Sequence, residues 1–113
     1  MKQEYRGSQA DPEWRTVVEA GGTRAEKMLN LDASHGTFTK VVKMLPGYRT
    51  LNPEVHDYWE EVYYLDGELI ETKRNIKLKH GSYECIPPQT AHGPFETKTG
   101  CELLVIAYPA MSK

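Results

Sequence analysis

The stretch Glu54-Val55-His56-Asp57-Tyr58-Trp59-Glu60-Glu61-Val62-Tyr63-Tyr64-Leu65-Asp66-Gly67 decides how the chain reads. Its second half, residues 60–65, is β-branched and aromatic, the composition of a strand, and it stops at Asp66-Gly67. An Asp-Gly dipeptide between two apolar runs predicts a two-residue hairpin, so residues 60–65 and 69–72 should pair antiparallel. If residues 54–60 run extended, alternation puts Glu54, His56, Tyr58 and Glu60 on one face. Two carboxylates and an imidazole suit a dry core poorly unless a partner or a metal neutralises them. Imidazole nitrogen with carboxylate oxygen is a ligand set for Fe(II), Mn(II), Zn(II), Ni(II) or Cu(II). A solvated strand face is the plainer alternative.

Outward from that stretch, strand signals recur. Residues 15–20 carry Val17-Val18 and stop at Gly21-Gly22; residues 37–45 are rich in Thr, Phe and Val and end at Pro46-Gly47. Residues 76–78, 83–86 and 102–108 complete the series, with turns at His80-Gly81, Pro87-Pro88 and Thr99-Gly100. Residues 24–32 are the best helix candidate, yet short enough to be extended instead. Many short strands with close turns predict an all-β sandwich or barrel.

The 113 residues predict a single domain, with residues 1–14 as an extended N-terminal arm. Fourteen basic and sixteen acidic residues leave a charge of −2, which predicts no nucleic-acid partner and no anionic-membrane partner. No apolar run approaches a membrane span, residues 1–15 lack an apolar signal core, and two cysteines make no disulfide framework. A cytoplasmic protein is the expectation. Cys85 and Cys101 fall in strands, where a buried, inert thiol is usual. His35 and His80 lie in turns and read as surface residues.

A second segment bears on the first. Gly81 is followed by Pro87-Pro88-Gln89-Thr90-Ala91-His92, a proline-stiffened corner able to aim His92 inward. A surface histidine in a loop is the alternative for this residue taken alone.

Together the two segments resemble the paired motifs of the cupin superfamily. Its first motif runs glycine, His-x-His, glutamate, glycine; Glu60 and Gly67 match it, His56 matches the second histidine, and Gly47 lies near the leading glycine. In the second motif Gly81, Pro87 and His92 match. The resemblance spans residues 47–96 and is closest to small single-domain cupins, those like the anti-sigma-factor C-terminal cupin domain and the diketone- or hydroxyketone-cleaving dioxygenases. The departures are specific: Glu54 stands in place of the first histidine, Gln89 of a glycine and Glu96 of an asparagine.

The resemblance implies a double-stranded β-helix, the jelly-roll barrel, with a metal in its mouth. Its ligand set here would be Glu54, His56, Glu60 and His92, holding Fe(II) in the first instance, with Zn, Mn or Ni as alternatives. Glu54 would serve as fourth ligand or as a base, and Tyr58 as a second proton-moving group; barrel filling is the plainer reading of Tyr58 and Tyr64. Alternation places Glu61 outside. The implied activity is that of a metal-dependent enzyme on a small oxygenated substrate, such as a dioxygenase cleaving a diketone or hydroxyketone. A redox-neutral isomerase or lyase is one alternative; a non-catalytic binding or sensing module with a structural metal, or none, is another. A homodimer is expected, with residues 15–20 pairing with a neighbour and Trp59 near the contact.

Overall fold

The computed structural model describes residues 13–110; most of the expected N-terminal arm lies outside the described residues. Eight strands follow one another: β1 (Arg15–Glu19), β2 (Gly22–Asp32), β3 (Thr37–Met44), β4 (Tyr58–Glu71), β5 (Ile76–Lys79), β6 (Tyr83–Ile86), β7 (Phe95–Glu96) and β8 (Cys101–Pro109). Among the described residues there is no helix, hence none long and apolar enough to cross a membrane. The candidate helix at residues 24–32 is part of β2, an edge-to-edge partner of β1 and β3. All pairings are antiparallel, in the order β1-β2-β3-β8-β4-β5, with β6 and β7 also on β4. This is the all-β jelly-roll expected of a cupin.

β8 shows why the sheet rolls. Cys101, Leu103, Val105 and Ala107 are buried while the residues between them are not, a strict period of two on a strand flanked by β3 and β4. With Val42, Val62, Tyr64, Leu69, Leu78 and Phe95 they form the core, and Phe38 and Met44 pack against it.

The hairpin expected at Asp66-Gly67 is not formed. Residues 60–65 and 69–72 belong almost wholly to one strand, β4, whose register against β8 shifts between Tyr64 and Asp66. Gly67 has φ +77°, but a β-bulge needs a left-handed residue as much as a hairpin turn does. Up to Gly67, β4 pairs with β8 and β6; beyond it, β4 turns into the second sheet and pairs with β5 and β7. A Cβ on Gly67 would collide with the Gly100 carbonyl oxygen, so the crossing is as tight as backbone allows. The true hairpin after β4 is the loop 72–75, closed by Asn75 at φ +56°.

Cys101 is buried as expected, but Cys85 is exposed. On β6 it is Glu84 and Ile86 that turn inward, so alternation sends Cys85 out.

Candidate metal centre

The inward alternation of the opening stretch is present: Glu54, His56, Tyr58, Glu60, Val62 and Tyr64 all line one cavity of about 560 Å³ inside the barrel. Regular strand begins only at Tyr58. Upstream, Glu54 forms an isolated antiparallel bridge with His92, the Glu54 N–H donating to the His92 carbonyl at 2.7 Å and the return bond at 3.0 Å. The Gln89 N–H donates to the His56 carbonyl at 2.6 Å. Thus the two motifs are stitched together through their main chains, which sets three of the site residues side by side.

Their side chains converge. Glu54 Oε1 lies 3.5 Å from His56 Nε2 and 3.7 Å from His92 Nε2. Glu60 contributes contacts of 3.9 Å to His56 Nε2 and 3.5 Å to His92 Nε2. Donor atoms of Glu54, His56 and His92 all fall within 4.8 Å of one another. Ligand atoms at about 2.1 Å from a cation would be about 3.0 Å apart as octahedral neighbours and about 3.4 Å apart as tetrahedral ones. The four histidine–carboxylate spacings need a contraction of only tenths of an ångström. The group that fits a divalent metal ion is Glu54, His56 and His92, with Glu60 outside it but beside both imidazoles. Side-chain exposure grades the ring from mouth to interior: 47 % for Glu54, 23 % for His56, 14 % for Glu60 and 5 % for His92.

Neighbours orient these groups. His92 Nδ1 is 3.2 Å from the Thr90 carbonyl; donating there leaves the Nε2 lone pair for the site. Burial opposes charge on His92, but the Glu60 hydrogen bond, the Thr90 carbonyl and the carboxylates of Glu60 and Glu54 outweigh it and raise its pKa. The His56 ring stacks on Tyr58 with centroids 4.7 Å apart, and Tyr58 meets Phe38 edge-on at 5.7 Å. Burial, with Glu60 and Glu54 nearby, pushes the Tyr58 phenol up to about 12. At neutral pH it therefore keeps its proton and can serve as a hydrogen-bond donor. Glu61 faces away from the cavity and accepts the hydroxyls of Tyr83 and Tyr108 at 2.7 and 2.6 Å.

Three groups were not foreseen from the sequence. Glu71, buried at the end of β4, accepts the Gly93 N–H at 2.7 Å and is gripped by Arg74 at 2.6 and 2.9 Å; it fixes the backbone next to His92. Arg74, with the Gly93 N–H, outweighs burial and lowers the Glu71 pKa. Glu84 lines the cavity and accepts the Tyr64 hydroxyl at 2.9 Å; burial raises its pKa. A charged cluster around Glu26 occupies the cavity wall on β2 and β3. Arg24 and Glu26 lie in the stretch that reads as the best helix candidate, so their alternation toward the cavity carried no signal.

Several solved structures share this architecture. A RmlC-like cupin from Shewanella frigidimarina is 19 % identical over 98 % of this chain and 96 % of its own, with a TM-score of 0.74. The polyketide cyclase RemF from Streptomyces resistomycificus is 23 % identical over 96 % of this chain and 81 % of its own, at 0.75. An acetylacetone dioxygenase from Acinetobacter johnsonii is 13 % identical over 94 % of this chain and 80 % of its own, at 0.71. At such identities the likeness is one of fold. No curated protein matches the sequence. The profile of the ChrR cupin-like domain matches residues 2–111, nearly the whole length, and the chain belongs to that family.

Proposed function

We propose that this cupin is a metal-dependent enzyme acting on an oxygenated organic compound, with Fe(II) as its metal and dioxygenase cleavage of a diketone or hydroxyketone as its reaction. The observation that carries the reading is the convergence of His56 Nε2, His92 Nε2, Glu54 and Glu60 at one end of the barrel cavity. Acetylacetone dioxygenases among the similar folds support the choice of substrate class. His56 and His92 would hold the metal, with Glu54 as third ligand or, where Glu60 takes that place, as base. A bound divalent ion supplies Lewis acidity and open positions for two substrate oxygens.

The protein's own groups do the rest. Glu54, the most exposed carboxylate of the ring, is placed to take a proton from a methylene between two carbonyls. Tyr58 holds the His56 ring by stacking and keeps its hydroxyl proton to donate to a developing enolate oxygen. Val42, Val62, Leu103 and Val105 give the cavity an apolar wall for the carbon skeleton of the substrate.

The test is metal analysis of the purified protein, followed by O2-electrode assays of the Fe(II)-loaded form against a panel of diketones and hydroxyketones. Uptake with at least one is expected; none with any would sink the oxygenase reading. Conversion without uptake would assign an isomerase or lyase instead. We also propose a homodimer built along β1, which among the described residues pairs as a strand only with β2 and carries Val18 at 77 % exposure. Light scattering at one concentration series checks it; a monomer throughout would reject it.

A further inference from the structure

The cavity has two polar ends. One is the His56, His92, Glu54 and Glu60 ring. The other lies on β2 and β3, where Glu26 accepts from Arg15 at 3.1 Å, from Lys40 at 3.2 Å and from Arg24 in a very short contact. Register places the two ends apart. Lys40 is paired with Val105 of β8, and Val105 with Val62 of β4, next but one to Glu60. Two strand spacings make about 10 Å. Between the ends the wall is apolar: Val42 and Leu103 in one row, Val105 and Val62 in the next.

The far end is short of negative charge. Glu26 and Glu19 are its carboxylates, and Glu19 also accepts the Tyr48 hydroxyl at 2.6 Å. Against them in the cavity lining stand Arg24, Lys40 and Arg49, while Arg15 reaches Glu26 from outside it with a side chain 71 % exposed. Arg49 is tied to the β1–β2 turn by its N–H to the Gly21 carbonyl, lines the same end, and has no ion pair among the described residues. Arg24 and Lys40 are only 22 and 20 % exposed, so water screens them weakly. Size agrees with a second point of attachment. A cavity of about 560 Å³ is in the range that drug-sized ligands fill, whereas a minimal diketone would leave most of it empty.

Resting on the metal-site reading above, we propose that the β2–β3 end is an anion subsite. The substrate is then an extended molecule: two chelating oxygens at the histidine–glutamate ring, an apolar middle against Val42, Val62, Leu103 and Val105, and a carboxylate about 10 Å away against Arg24, Lys40 and Arg49.

The test uses the intact protein loaded with Co(II), whose visible spectrum reports changes in metal ligation. Two hydroxamates of equal chain length serve as probes, one ending in a carboxylate and the other in a methyl group. At low ionic strength the carboxylate-tailed probe should bind at least about tenfold more tightly, with the advantage falling as salt is added. Lys40→Met should abolish the advantage and Arg49→Gln should reduce it, while the methyl-tailed probe binds all three proteins alike. Equal binding of the two probes to the unmodified protein overturns the subsite. Should neither probe shift the cobalt spectrum, the chelation reading fails instead. The subsite is then decided by calorimetry of suberate with the metal-free protein: salt-sensitive binding lost in Lys40→Met supports it, and no binding overturns it. If Lys40→Met does not fold, Arg49→Gln, changed at an exposed side chain, carries the same comparison.

Discussion

His92 is the residue on which the site turns: its Nε2 sees both Glu54 and Glu60 within 3.7 Å, while Nδ1 is committed to Thr90. His92→Ala should remove metal binding and turnover together and lower the metal-free melting temperature by only a few degrees, through the lost ring contacts with Glu60, the Thr90 carbonyl and Phe95. A collapse of that melting temperature, in a protein that never showed activity, would mark a structural role. Glu71 acts one step back. Glu71→Ala strands the buried Gly93 N–H and should cost about 2–3 kcal/mol in urea melts, and metal affinity should fall about 10–100-fold. Glu71→Gln, which keeps an acceptor for Gly93, should recover much of the affinity; no difference between the two variants would remove the positioning role. The ring was legible because period-two alternation from Glu54 to Glu60 is visible as spacing. Glu71 was not: its importance comes from a backbone N–H more than twenty residues away, and spacing within a strand carries no trace of that.

At the scale of the element, the corner before His92 and the bend in β4 show where backbone conformation departs from what the local sequence announces. Asp66-Gly67 announces a left-handed residue, and one is present, but the chain uses it to cross between sheets rather than to reverse. Only the pairing of β4 with β8, set by partners far along the chain, distinguishes the two uses. Gly67→Ala would meet both the left-handed penalty of about 1–2 kcal/mol and the collision with Gly100, typically about 1–3 kcal/mol. It should lower stability by at least about 2 kcal/mol in urea melts; a neutral result would mean the bend is not tight. Gln89 presents the opposite case, a non-glycine residue at φ +64° where the cupin motif has glycine. Its strain of about 1–2 kcal/mol exceeds the entropy that glycine adds to the unfolded chain, about 0.5–1 kcal/mol. Gln89→Gly should therefore stabilise the protein by about 0.5–1 kcal/mol. A loss of stability would show that the Gln89 side chain makes a compensating contact.

For the whole molecule, the pH range of stability follows from groups spread over both sheets, and none of it could be read from a net charge of −2. Glu26 is opposed by burial but held low by Lys40 and Arg24, and Glu71 is held low chiefly by Arg74. A carboxylate whose folded pKa is depressed stabilises the fold above its unfolded value, near 4.5, and loses that contribution as pH falls below it. Glu84 works the other way: raised by burial, it favours the fold at acid pH and gives that up as pH rises through its folded value. Glu19, held low chiefly by the Tyr48 hydroxyl, and Glu61, held low by those of Tyr108 and Tyr83, act as Glu26 and Glu71 do. Against the one raised carboxylate they predict net acid loss beginning below about pH 4.5. On the alkaline side burial pushes the Cys101 thiol from 9 up to about 11 and the Tyr58 phenol from 10 up to about 12. Both groups ionise first in the unfolded chain, so their contribution is whole below pH 9 and drains away above it, through pH 11 for the thiol. Urea melts of the metal-free protein should thus give a plateau from about pH 5 to 6.5, then a step down as pH rises through the raised folded pKa of His92. Further loss should follow below about pH 4.5 and above about pH 9. In Cys101→Ala the plateau should sit lower, because the core against Met44 is less well filled, and the slope between pH 9 and 11 should be shallower. An unchanged alkaline slope in that variant would mean the thiol is accessible enough to ionise in place, which the burial of Cys101 beside Leu103 and Val42 argues against.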